Sequence, residues 1–414
     1  MDAREKRAWW LVAIMFVEMF FVHGAFIILP VYMIPIERAF GWNRLRSSTL
    51  QTFAGFSMGA IGMPLVGWLI DFLDAQIVMS AGVVVLSAGF ILAALAHSYA
   101  ALAVSYFLIG LGDAAATLSP CAVVVSNWFE PRRRGLALGL ALAGMSVGGM
   151  VLYIVVNRVI YSWGWRASYA VVPLPIIVLI LPLVIWKVRT RPLQSAVAGS
   201  AASILPGAEL GEAMRGRAFW LIAVCQFTFN LTLAATTAHT IPYITGAGYG
   251  RTVAVRAFGI ATGLAGVGKV IMGWLADRIS GRTALALDLF GNAIGVSMLL
   301  FVGYEIVLVG WTVVWGLTII APLSLIPLVI TECYGLKRLG SLIGLLYMFS
   351  ALGGALGPVS MGWLYVHTQT YRYGFEILAT LLIFAAICAL GCKPRHPEVP
   401  VAARAHTGAA VGVG

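Results

Sequence analysis

The chain has 414 residues, 61% of them hydrophobic and only 10% charged, with a mean hydropathy of +0.94 and a formal net charge of +11. A soluble chain of this size carries about 25% charged residues, so a soluble domain is excluded. Long, unalternating apolar runs exclude soluble β-structure as well.

Crossing a hydrocarbon core of about 30 Å takes roughly 20 residues of helix. On that measure the sequence predicts an all-α polytopic membrane protein with twelve spans: 8–33, 48–71, 77–97, 100–128, 135–160, 167–187, 218–244, 253–276, 283–303, 306–332, 338–365 and 372–392. Lys6 and Arg7 precede the first run as in a signal peptide. The run continues past Glu18 to Tyr32 without a small-residue cleavage site, so it reads as a membrane helix. Lys and Arg concentrate in alternate loops. Arg4, Lys6, Arg7, Arg132, Arg133, Arg134, Lys187, Arg189, Arg191, Arg215, Arg217, Arg278, Arg282, Lys337, Arg338, Lys393, Arg395 and Arg404 fall on one side. Arg38, Arg44, Arg46, Arg158, Arg166, Arg251, Arg256 and Arg372 fall on the other. The positive-inside rule then places both termini in the cytoplasm of a plasma (bacterial inner) membrane, and it explains the basic charge without nucleic acid. The cysteines Cys121, Cys225, Cys333, Cys388 and Cys392 have no metal-ligand spacing. No phosphate-binding loop or nucleophile elbow is present, so no metal, cofactor or enzymatic activity is expected.

The chain repeats itself. GWLIDFLDAQ (67–76) returns as GWLADRISGR (273–282), and GLALGLALAGMSVGGMV (135–151) returns as GSLIGLLYMFSALGGAL (340–356). Two six-helix halves follow, 1–188 and 218–393, joined by an Ala/Ser/Gly/Pro-rich linker at 189–217 and followed by a disordered tail at 394–414. Gly139, Gly144, Gly148 and Gly149 in the fifth span, matched by Gly344, Gly353, Gly354 and Gly357 in the eleventh, let helix backbones approach closely.

Charged and polar groups inside the spans carry the chemistry. Lys269 interrupts an apolar run about 12 Å from the inner end of its helix. An ammonium there costs roughly 2.5–3.5 kcal/mol on insertion scales. Two readings stay open: it pairs permanently with Glu18 or Asp113, or it is an anchor awaiting an anionic solute. Glu18, near the middle of the first span, and Asp113, in the outer half of the fourth, are candidate proton carriers. His23 and His239, toward the outer ends of the first and seventh spans, are candidate proton-coupling groups, because imidazole is the side chain suited to sensing acidity outside. Gln226, Asn230 and Thr237 share a face of the seventh span and can hydrogen-bond a solute or glue helices together. Tyr153, Tyr243 and Tyr347 are candidate cavity aromatics.

Three stretches carry a resemblance: FGWNRLRSS (40–48), NWFEPRRRGLALGLALAG (127–144) and GKVIMGWLADRISGR (268–282). With the two halves and the central loop, they resemble the major facilitator superfamily, within it the branch of oxalate/formate antiporters and monocarboxylate transporters. The resemblance implies a twelve-helix fold of two pseudo-symmetric bundles whose first, fourth, seventh and tenth helices line a central cavity. It also implies that Lys269 stands where relatives carry a carboxylate-binding arginine. The gating residues it implies are Asp71, Asp277, Arg278, Arg282, Glu130, Arg132, Arg133 and Glu332, forming cytoplasmic charge pairs. The chain departs from its relatives at Ala265, where animal monocarboxylate transporters have an aspartate, at Ile27, where they have a lysine, and in the eleventh span, which lacks the lysine of oxalate carriers. One buried cation fits a monoanion better than a dicarboxylate. The expectation is a monomeric monocarboxylate:proton symporter working by alternating access. Organic-anion exchange, proton-coupled drug or metabolite antiport, and a transporter-like sensor are the alternatives.

Overall fold

In the computed structural model, residues 3–190 and 207–393 are described; most of the expected linker and the whole of the expected tail lie outside them. Eleven helical stretches are long and apolar enough to cross a membrane. They are α1 (Glu5–Phe40), α2 (Arg46–Phe72), α3 (Ala75–Ala94), α4 (Tyr99–Trp128), one 57-residue stretch (Pro131–Lys187), α7 (Arg217–Gly246), α8 (Thr252–Ala276), α9 (Gly281–Phe301), α10 (Glu305–Tyr334), α11 (Leu339–Thr368) and α12 (Arg372–Leu390). The long stretch bends at Gly164, whose φ of 82° is left-handed backbone that glycine adopts without strain. At about 1.5 Å per residue it is nearly three times the core thickness. It therefore accommodates two crossings, α5 (131–163) and α6 (165–187).

The first helix runs seven residues past the expected end at 33. Pro30 does not stop it, because the chain passes through a 3₁₀ turn at Leu29–Tyr32 and resumes at Met33. A π-helical turn at Met19–His23 follows Glu18 directly. Such turns shift the register of side chains and recur at functional sites. α4 breaks at Thr117, and α10 breaks between Thr318 and Pro322.

Gly67, Gly135, Gly139, Gly273, Gly340 and Gly344 form close contacts between the two halves, where α2 packs on α11 and α5 on α8, whereas Gly144 and Gly148 pack on α1, and Gly353 and Gly357 on α7, within their own halves. We call the face bearing Arg132, Arg278 and Lys337 the basic face. There, a Cβ on Gly67 would collide with the Gly340 carbonyl oxygen, and one on Gly135 with that of Gly273. The seams widen with distance from that face. Two turns beyond Gly273, a Cβ on Gly266 would stand 3.4 Å from Ser146; two turns further, Gly259 meets nothing within 4 Å. In α2, Gly59 touches Ala351 and Gly55 touches nothing. The molecule is closed at its basic face and splayed at the opposite one.

Candidate functional site

Lys269 lies where the α5–α8 seam begins to open. Its side chain is fully buried, and its Nζ donates to the Leu142 carbonyl oxygen and the Ser146 hydroxyl, each at 3.1 Å. Among the described residues no carboxylate comes within ion-pairing distance of it. The permanent pair with Glu18 or Asp113 is therefore not formed in this conformation. The ammonium is instead held by one carbonyl dipole and one hydroxyl from the opposite half.

The same turns of α5 meet α1 on another side: a Cβ on Gly144 would strike the Phe16 carbonyl, and one on Gly148 that of Phe20. Glu18, between Phe16 and Phe20, thus sits at the depth of Lys269 with α5 between them. Both Glu18 carboxyl oxygens are buried without a hydrogen-bond partner. Asp113 is fully buried too, with both oxygens 3.1 Å from His23 Nδ1. Glu18 from α1 and Tyr347 from α11 lie within electrostatic range of Asp113. The π-helical turn explains the grouping, since Glu18 precedes it and His23 ends it. Four of the expected residues, Glu18, His23, Asp113 and Tyr347, come together.

Gln226 is buried in a seam between α7, α10 and α11 beside Tyr347, Ile326, Ile330 and Leu346. Its Oε1 has no partner, and the space around it is too narrow for a water molecule. The rest of the polar stripe stands apart. Asn230 Nδ2 donates to Ser350 Oγ on α11, and Thr237 is exposed and donates to the Leu233 carbonyl of its own helix at 2.6 Å. His239 bridges α7 and α11, with Nε2 3.1 Å from the Pro358 carbonyl and Nδ1 3.4 Å from the Tyr371 hydroxyl. Tyr153 is half exposed.

At the basic face the expected charge pairs take another form. Asp71 accepts from the Gly340 and Ser341 amides, each at 3.0 Å, and from the Ser341 hydroxyl. Asp277 accepts from the Gly135 and Leu136 amides at 2.6 and 2.8 Å. Each carboxylate caps the first turn of a helix in the other half, where unpaired amides and the helix dipole favour an anion. Glu332 does the same within one half, accepting from the Gly281 and Arg282 amides at 2.5 and 3.3 Å. Three of the basic residues have further partners. Arg278 stacks on Trp274 at 3.9 Å, and Arg282 donates to the Cys392 carbonyl at 3.5 Å. Arg133 pairs with Glu5 of α1. Arg132 and Glu130 line a cleft of about 480 Å³ beside that pair. Burial lifts the half-buried Asp277 carboxyl from 3.8 to about 6, against the opposing pull of the two amides and Arg134.

A strap joins this latch. Glu209 pairs with Lys337 at 2.8 Å and Arg338 at 3.0 Å, which hold its carboxyl below the ordinary carboxylate range. The Ala208 amide donates to the Tyr334 carbonyl at 2.9 Å.

Asp288 and Asn292 in α9 were not among the expected residues. Both are fully buried, and their side-chain oxygens and nitrogen have no hydrogen-bond partner. Their signal in the sequence is the same as that of Glu18: a carboxylate inside an apolar span, here DLFGN (288–292).

Comparison with known proteins gives a consistent picture. The profile of the Major Facilitator Superfamily matches residues 13–331. Monocarboxylate transporter 13 of Rattus norvegicus is 26% identical over 91% of this chain and 86% of its own length. Monocarboxylate transporter 11 of Homo sapiens is 27% identical over 69% of this chain and 61% of its own length. The hexuronate transporter of Bacillus subtilis is 24% identical over 82% and 84%. Among solved structures, the E. coli fucose:proton symporter FucP superposes with a TM-score of 0.73 at 18% identity, covering 92% of this chain and 98% of that one. FucP in the outward conformation gives 0.74 at 17% identity over the same shares.

Proposed function

Because this chain belongs to the Major Facilitator Superfamily and is an integral membrane transporter by that membership, we propose that it carries a small monocarboxylate together with a proton. The observation that carries this reading is Lys269: a buried ammonium whose hydrogen-bond partners among the described residues are neutral, at the seam between the halves. A carbonyl and a hydroxyl leave its charge uncompensated, and a carboxylate entering from the splayed side completes it with a charge-assisted hydrogen bond. Lysine offers a point charge, not the planar fork of arginine, which suits a single carboxylate. Relatives named as monocarboxylate transporters support the same class.

Glu18, with no partner, and Asp113, beside His23, are the proton-binding groups of this scheme. A neutral carboxyl at Glu18 tolerates burial, and an ionised one draws a proton from the open side. Anion and proton together make a neutral load, with which the halves rock about the α2–α11 and α5–α8 seams. Gln226 and Tyr347 flank the solute on the other side. The basic face is the cytoplasmic one in this scheme, with 1–188 and 218–393 as the moving halves of a monomer. The test is uptake by proteoliposomes of labelled short monocarboxylates, with an inward proton gradient and with dicarboxylates and neutral sugars as competitors. Gradient-driven accumulation blocked by monocarboxylates alone is expected. Uptake indifferent to the gradient refutes proton coupling, and competition by sugars alone refutes the anion.

A further inference from the structure

Asp288 lies outside the site just described, and it faces the break in α10. Along α9 a stripe of residues meets α10. A Cβ on Gly281 would stand 3.0 Å from Glu332, one on Gly291 2.9 Å from Thr318, and one on Gly295 3.0 Å from Trp315. Asp288 is seven residues from both Gly281 and Gly295, so it shares that stripe. Interpolation between the Glu332 and Thr318 contacts sets it level with Pro322, where the inner segment of α10 begins after the break at 319–321. At the break, the Leu323 amide bonds the Ile320 carbonyl, and the Ser324 and Leu325 amides bond the Ala321 carbonyl. The Ile320 and Ala321 amides have no backbone acceptor among the described residues. Two consecutive donors thus stand at the level of a fully buried carboxylate with no partner.

Three other carboxylates among the described residues close such a juxtaposition. Asp71, Asp277 and Glu332 each accept two consecutive amides at the start of a helix. The first half handles its own break differently. With the Gly67-to-Gly273 offset of the repeat, Asp288 corresponds to Gly82, where a Cβ would stand 2.6 Å from the Ala116 nitrogen at the α4 break. There the backbones close on each other, whereas in the second half a carboxyl occupies that position. Charged groups on the helices packed against α9 sit at its ends. Arg282, Glu332 and Asp277 lie toward the basic face, and Arg256, Glu305, Arg372 and Glu376 lie opposite. Lys269 on α8 is directed to α5. None of them is a hydrogen-bond partner of the Asp288 carboxyl.

We propose that Asp288 is a proton-binding switch of the second half: protonated and unpartnered in this conformation, and ionised in another, where it caps the Ile320 and Ala321 amides and fixes a second shape of the α10 break. Losing the proton to water admitted at the α9–α10 seam creates the acceptor that the two amides lack. Regaining it frees the break again. The switch is independent of which solute is carried.

Hydrogen exchange of the peptide spanning 317–323 tests it, on the full chain in nanodiscs without solute, at a series of pH values and normalised to intrinsic exchange rates. Protection at Ile320 and Ala321 rises about tenfold or more from acid to alkaline pH, the scale of charge-assisted hydrogen bonds. In Asp288→Asn it stays at the acid level throughout, and Asp288→Glu restores part of the response. A flat wild-type profile overturns the proposal, as does an unchanged response in Asp288→Asn. Where Asp288→Asn cannot be purified, the wild-type profile decides alone: a rise confined to this peptide supports the switch, and no rise overturns it.

Discussion

Closure of the basic face should respond to pH on that side, in the direction set by Asp277. In the closed form its carboxyl is half buried against the start of α5 and titrates at about 6; once the seam opens and water returns, it reverts to the ordinary 3.8. The closed form therefore binds the proton more tightly. Its advantage is complete below about pH 4 and is lost as the pH rises through 6. The full shift corresponds to roughly 3 kcal/mol at about 1.4 kcal/mol per unit. Water still reaches the half-buried carboxyl, and screening reduces this to about 1 kcal/mol, or roughly fivefold in the closed-to-open ratio. Spin labels on cysteines introduced at Leu73 and Ile279, exposed positions at this face in opposite halves, report the ratio as a distance distribution. The five native cysteines are buried. The short-distance population should fall across the pH 4–7 window, and Asp277→Asn should flatten that slope. A population that grows with pH refutes the reasoning, because the Gly135 and Leu136 amides and Arg134 would then outweigh burial. A slope that survives in Asp277→Asn would move the effect to another group.

Lys269→Gln retains a donor for Ser146 but removes the charge. Counterflow should drop by tens-fold to about a hundredfold, the loss of one charge-assisted contact, while expression and thermal unfolding stay unchanged. Retained counterflow would remove Lys269 from the solute's path. Gly273→Val places a Cβ against the Gly135 carbonyl, where neither backbone can yield. Overpacking of about 1–3 kcal/mol should shift the same label pair toward the separated population, and an unaltered distribution would show that the seam is looser than described. Glu209→Gln breaks an exposed strap, so the closed population should change by less than about threefold, and high salt should mimic the substitution. In the wild type, Lys337 and Arg338 hold the Glu209 carboxyl low. Exchange protection of 207–215 should therefore persist above the ordinary carboxylate value and be lost only as the pH falls below it.

The spans were legible because hydrocarbon demands one property, sustained apolarity, which composition displays directly. The boundaries at 48–71 against Arg46–Phe72, and at 253–276 against Thr252–Ala276, differ by a residue or two. The first span ran longer because Ile34 and Ile36 extend it beyond a proline that a 3₁₀ turn absorbs. The seams were legible too, since glycine in register across a repeat has few uses in lipid other than close approach. What the sequence hides is the partner of each charge. Asp71 and Asp277 sit among arginines and so suggest ion pairs, but a helix start offers its amides whatever its residues, and amides leave no mark in a sequence. The partners of Lys269, a carbonyl and a hydroxyl 127 and 123 positions away, are hidden for the same reason.

That blindness has a physical consequence for how the molecule moves. Salt bridges between side chains can form and re-form over a range of separations. A carboxylate on two consecutive amides is satisfied only when the whole helix start is in place. Asp71 and Asp277 therefore each make closure of their own seam at the basic face a seated-or-unseated event for one helix start. Lys269 closes the α5–α8 seam about two turns deeper than Asp277 with weaker, neutral partners. In the proposed scheme a solute carboxylate competes with those neutral partners first. That scheme sets an order of steps: the ammonium should exchange a carbonyl for the solute before the caps at the basic face release, so that face should open only once the solute is held.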